Sequence, residues 1–112
     1  MTDEIEQEIK EKNLTAPRVT PESIEALISA EYYIVTGEAL RNLGNPVNAA
    51  LMTHTICVLV LKNGFTVIGE SACASPENFD AEICRKTARR NAVNKIWPLE
   101  GYLLRTRLHE RW

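Results

Sequence analysis

The chain has 112 residues, 45% apolar, 25% charged and 6% aromatic, and its 13 Lys and Arg against 15 Asp and Glu leave a net charge of −2. That is enough chain for one core but not for two. The longest apolar run of the central region, Ile56–Leu61, is far short of the roughly 20 residues a membrane-spanning helix needs, so one small soluble domain is expected.

The start of the chain, Met1-Thr2-Asp3-Glu4-Ile5-Glu6, is acidic where a secretory leader is basic and then apolar, which predicts a cytoplasmic protein. Residues 1–19 mix Glu4, Glu6, Glu8 and Glu11 with Lys10 and Lys12 and read as a flexible acidic arm, helical and frayed or disordered; residues 20–112 read as a single α+β domain. Thr20-Pro21-Glu22 supplies a cap, a first-turn proline and a first-turn acid, and Ile24, Leu27 and Ile28 share one face, which predicts a short helix over about 21–30. The β-branched and aromatic run Tyr32–Thr36 predicts a short strand ending at Gly37, and Gly44-Asn45-Pro46 predicts a loop.

From about 53 to 74, two apolar β-branched runs flank Asn63-Gly64, the dipeptide that tolerates the two positive φ angles of a type I′ turn, so an antiparallel hairpin is expected there. A two-residue loop would set Val60 opposite Val67, Val58 opposite Gly69 and His54 opposite Cys73. One face would then carry Ile56, Val58, Val60, Phe65 and Val67, the other Cys57, Leu59, Leu61 and Ile68. Both are apolar. A chain this short has one helix layer to offer, so the second face predicts a homo-oligomer whose interface involves this sheet.

Ser75-Pro76-Glu77 repeats the helix-start signal, and Ala81, Cys84, Ala88, Ala92, Ile96, Leu99 and Leu103 recur every three or four residues. A long C-terminal helix over about 76–108, kinked or interrupted near Pro98, should lie close on the sheet through its small residues. The fold expected is α+β: a short N-terminal helix and a hairpin-centred antiparallel sheet packed on that helix.

Cutting the chain after Cys84 divides the net charge into 5 basic and 13 acidic side chains before the cut and 8 basic and 2 acidic after it, that is −8 and +6. An anionic partner should therefore meet the last quarter. Arg85, Lys86, Arg89, Arg90 and Lys95 have no acid within their own span, so either they form a plain solvated face or they await an anion. Asn91 and Asn94 add amides suited to base edges or ribose hydroxyls, and Phe79, Trp97 and Tyr102 offer stacking surfaces as well as core material.

Other chemistries find less support. His54 opposite Cys73 would be a nucleophile and base without an orienting acid, which is ordinarily packing, so no catalytic residue is assigned. Cys57, Cys73 and Cys84 are an odd number at spacings of 16 and 11 and read as reduced, mostly buried thiols; His109 has no second ligand at metal spacing. No cofactor motif occurs, and the net charge of −2 argues against nucleic acid.

The ordered set Asn63-Gly64-Phe65, Glu70-Ser71-Ala72, Glu77-Asn78-Phe79-Asp80, Asn94-Lys95-Ile96-Trp97 and Leu99-Glu100-Gly101-Tyr102, spread over about residues 55–108, resembles a small tailed-phage protein family named after gene products of phages N4 and Sf6. That family is in turn similar to the type-one anti-Thoeris proteins, phage sponges that bind the immune messenger 1″–3′ glycocyclic ADP-ribose without cleaving it and assemble as hexamers built from dimers. Some members hold cyclic oligonucleotides at separate sites. The resemblance implies that Phe79 stacks on a base, that Arg90 with Asn91 or Asn94 engages ribose and phosphate, and that Arg105 or Arg107 closes over anionic oxygens. The expected function is sequestration of a cyclic nucleotide messenger in the host cytoplasm, with no cofactor, metal or membrane. The rival expectation is an interaction module whose basic helix docks on an acidic host factor.

Overall fold

The computed structural model describes residues 3–14 and 16–111. Its elements are helix α1 (Asp3–Glu11), helix α2 (Pro21–Ala26), strand β1 (Ile28–Val35), helix α3 (Thr36–Asn42), a 3₁₀ turn (Ala49–Thr53), strands β2 (His54–Leu61) and β3 (Thr66–Ala72), a second 3₁₀ turn (Pro76–Asn78) and helix α4 (Ala81–Glu110). The three strands form one antiparallel sheet in the order β1-β2-β3, and α4 covers one of its faces. The fold is α+β, as the sequence patterns predict.

Helix α2 begins as expected: the Thr20 hydroxyl accepts from the Ser23 amide at 3.0 Å and the Ser23 hydroxyl accepts from the Thr20 amide at 2.9 Å, a reciprocal cap. It ends earlier than its apolar spacing suggests. Ile28–Ala30 instead extend β1, because pairing with β2 satisfies their backbone while Ile28 still packs on the core. Helix α3 has no strong sequence signal; it forms where Gly37 passes so close to Leu51 and Met52 that a Cβ would lie 2.6 Å from the Met52 sulfur.

The hairpin forms at the predicted place in a different register. Gly64 alone takes positive φ, at 87°, and the loop is three residues long, closed by Leu61 N–H to the Phe65 carbonyl at 2.8 Å and Gly64 N–H to the Leu61 carbonyl at 2.9 Å. A type I turn followed by a glycine bulge does this, where a type I′ turn would need Asn63 at positive φ as well. His54 therefore faces Ala72 rather than Cys73, Val58 faces Ile68, and Leu59 faces Val67. One residue of slip reverses β3: Val67 joins Cys57, Leu59 and Leu61 in the core, and Ile68 joins Ile56, Val58 and Val60 outside.

Helix α4 starts at Ala81, capped by Asp80, whose carboxylate accepts from the Glu82 and Ile83 amides at 3.0 and 3.1 Å. The Ser75-Pro76 signal initiates only the short 3₁₀ turn before it. The helix runs through Pro98 without interruption. Cys84, Ala88, Ala92 and Ile96 are buried on the sheet, with Ile24 completing the cluster from α2. The predicted stripe is buried only from Cys84 to Ile96: Ala81, at the first turn, is exposed, and Leu99 and Leu103 leave the sheet at the other end. The approach is set by Gly69 of β3, where a Cβ would lie 2.1 Å from the Ala88 carbonyl oxygen and 2.2 Å from the Ala92 amide.

Candidate functional site

Five cations of α4, Arg85, Lys86, Arg89, Arg90 and Lys95, lie between Glu82 and Ile96. The structure divides them. Arg89 forks onto Glu25 of α2 at 2.9 and 2.7 Å and its Nε–H donates to Glu31 of β1 at 3.2 Å, so its charge is met by acids far away in sequence. Hydrogen bonding from Arg89 holds the Glu25 carboxyl below its ordinary pKa of 4.5. Glu31 is lowered first by the Tyr33 hydroxyl, which donates to it at 2.5 Å, and then by Arg89. Burial pushes the Tyr33 hydroxyl and the Cys57 thiol up. Lys86 pairs with Glu82 one turn earlier, at 3.1 Å. Arg85, Arg90 and Lys95 make no ion pair among the described residues, and with them stands the exposed amide of Asn94. Asn91 is half-buried and its side-chain amide donates to the Glu70 carbonyl of β3 at 2.9 Å, so one of its donors is already used.

Arg90, Asn91 and Asn94 are thus brought together within about one turn of α4. The other residues implicated by resemblance are not. Phe79 is half-buried in the loop before α4, and Arg105 and Arg107 stand on the far half of the helix. At about 1.5 Å per residue, Asn94 and Arg105 are roughly 17 Å apart along the axis, and Phe79 and Arg107 roughly 40 Å. One small ligand cannot touch all six in a single chain.

Sequence reasoning missed a second cationic locus. A cleft of about 210 Å³ opens between the hairpin tip and α4, lined by Leu27, Leu61, Lys62, Asn63, Glu100, Leu103 and Arg107. Its rim is fixed by the Lys62 amide, which donates to the Leu27 carbonyl at 2.9 Å, and by the Asn63 side-chain oxygen, which accepts from the Phe65 amide at 2.9 Å. The spacing of Glu100, Leu103 and Arg107 marks one helix face, but nothing local reveals that the hairpin tip meets it.

Both ring nitrogens of His54 are engaged, one with the Thr36 hydroxyl at 2.8 Å and the other with Glu70 at 2.5 Å, while the Cys73 thiol donates to the Ser75 carbonyl at 2.9 Å. The expected His54–Cys73 pair is replaced by these contacts because of the register. Cys57 and Cys84 are buried and Cys73 half-buried, all three as free thiols. Among the described residues, no group of three or more His, Cys, Asp or Glu is placed to hold a metal ion, and no helix is long and apolar enough to cross a membrane.

Residues 19–108 match the family model described as "Phage protein (N4 Gp49/phage Sf6 gene 66) family". No curated protein and no solved structure matches the chain.

Proposed function

This chain belongs to the N4 Gp49/phage Sf6 gene 66 family of phage proteins, and from that premise we propose that it binds a cyclic nucleotide immune messenger of the glycocyclic ADP-ribose type. It acts in the host cytoplasm by stoichiometric sequestration, without catalysis. The observation that carries this reading is Arg90, left without an acid once Arg89 and Lys86 are paired, within one turn of the amides of Asn91 and Asn94, with Arg85 and Lys95 unpaired a turn to either side. Arginine's planar fork grips phosphate oxygens through two parallel bonds, and neighbouring amides read ribose hydroxyls or a base edge. Phe79, Arg105 and Arg107 contribute from a second copy, since the length of α4 keeps them away from Arg90 in their own chain. The protein on this reading is a homo-oligomer, dimeric or hexameric, whose copies meet through the open sheet face.

Calorimetric titration with 1″–3′ glycocyclic ADP-ribose tests the reading. Wild type should bind, and R90A should bind at least about tenfold more weakly, as removal of a charge-assisted bond to phosphate requires. Absence of heat with wild type rules out this messenger. If the protein instead captures an acidic host polypeptide and releases it at high salt, the helix is a protein-docking face.

A further inference from the structure

We propose that the cleft between the hairpin tip and the second half of α4 is a separate binding site for a 5′-phosphorylated ribonucleoside. The proposal does not depend on the messenger reading and shares only Arg107 with it.

Three kinds of group converge on this cleft. Lys62 and Arg107 line it as cations, and neither makes an ion pair among the described residues. The Asn63 side-chain oxygen is already bonded to the Phe65 amide, so its NH₂ is the end left to donate outward. Together these present an ammonium, a guanidinium and an amide donor, the set that a phosphate monoester fills. Leu27, Leu61 and Leu103 supply an apolar wall for a base.

Glu100 is the one acid lining the cleft, and it decides the class. A carboxylate beside a bound phosphate repels a ligand that is anionic throughout, but it accepts hydrogen bonds from vicinal ribose hydroxyls. Phosphate on the cations, sugar on Glu100 and base on the leucines is therefore the order in which a mononucleotide fits. Size agrees: about 210 Å³ is below the roughly 300–1,000 Å³ of sites that enclose drug-sized ligands, so the cleft suits one nucleotide with its base partly open to water, and not a dinucleotide. The cleft is pre-formed, because the Lys62 amide is tied to the Leu27 carbonyl and Leu61 is paired across the turn to Phe65.

The test is an amide NMR titration of the full chain with AMP, 2′,3′-dideoxy-AMP, adenosine and inorganic phosphate, with thermal melts to verify that each variant is folded. AMP should shift the amides of Lys62, Asn63, Gly64 and Glu100 to Arg107, with adenosine, phosphate and dideoxy-AMP each at least about tenfold weaker. K62A should weaken AMP by about tenfold while binding the cyclic messenger as wild type does, and E100Q should reduce the preference for AMP over dideoxy-AMP. The proposal is overturned if AMP causes no shift up to about 5 mM, or if its shifts cluster at Arg90 to Asn94. Equal binding of AMP by K62A and wild type overturns it as well, as does loss of both ligands in K62A, which would make the two sites one. Failure of wild type to bind the messenger while AMP still binds overturns the function proposed above and leaves this one standing.

Discussion

Arg89 shows how a single residue can be misjudged when its sequence neighbours are all one can see. Within its own span it is one of five cations with no counter-ion, which argues for an anionic ligand; its carboxylate partners lie 64 and 58 residues away, at Glu25 and Glu31. It therefore ties α2, β1 and α4 together and is unavailable to a ligand, whereas Arg90, one position on, is exposed and makes no ion pair with those acids. Both Glu25 and Glu31 have folded pKa values depressed below 4.5, so their contribution to stability is complete above that value and is lost as pH falls through the depressed folded values. Since both carboxylates are more than a third exposed, solvent limits the network to about 1 kcal/mol. R89A should lower stability by roughly that amount at pH 7, and urea melts across pH should show the difference from wild type shrinking below about pH 4.5. An R89A protein as stable as wild type at pH 7 would mean that the network is merely solvated surface.

The elements divide by how local their determinants are. The long helix and its small-residue face are legible because Cys84, Ala88, Ala92 and Ile96 are separated by whole turns, and burial follows that spacing. The Thr20 cap on α2 is legible because Thr20-Pro21-Glu22 is a local start signal, whereas the reciprocal bond to the Ser23 hydroxyl emerges only in the structure. The hairpin is legible as an element but not in register: Asn63-Gly64 fits both a two-residue and a three-residue loop, and the choice rests on the φ of Asn63. With Val67 inward and Gly69 beneath Ala88 and Ala92, the three-residue loop lets the helix seat. Helix α3 and the extra length of β1 were not legible, because both are imposed by tertiary contact. Gly69 is the point where sheet and helix are closest, and G69A places a methyl into the backbone of α4 with no flexible side chain to yield. Equilibrium denaturation should show a loss of about 3 kcal/mol or failure to fold. A loss under about 0.5 kcal/mol would mean that α4 does not seat as described.

At the scale of the whole molecule the chain is long and thin. Its radius of gyration is 17.8 Å and its extents are 58 × 29 × 17 Å, against about 13 Å for a compact domain of this length. Helix α4 alone spans about 45 Å and overhangs the sheet, exposing Tyr102 at 78%. The sheet face opposite α4 displays Tyr32 at 59%, Ile34, Ile56, Val58, Val60 and Ile68 at 47% exposure, a contiguous apolar surface across all three strands. The corrected register leaves the size argument from sequence in place, since the strands still present two apolar faces and the chain covers one. Burial of this face against a second copy is the proposal that follows. I68E should give a monomer by sedimentation velocity with an unperturbed circular dichroism spectrum, while wild type sediments as a dimer or hexamer; a monomeric wild type contradicts the interface. The charge division of −8 and +6 has a similar status. The acids of the first part neutralise Lys86 and Arg89, and Arg85, Arg90 and Lys95 of the helix's first half are left without an ion pair among the described residues, as is Arg107 farther along.

The central claim is binding without chemistry, and the most direct test is to saturate the protein with 1″–3′ glycocyclic ADP-ribose, remove free ligand, denature the complex by heat and weigh what is released. The account predicts one mass, that of the intact messenger, recovered in fixed stoichiometry to the protein. Recovery of a cleaved or altered product, or of no nucleotide at all, contradicts it.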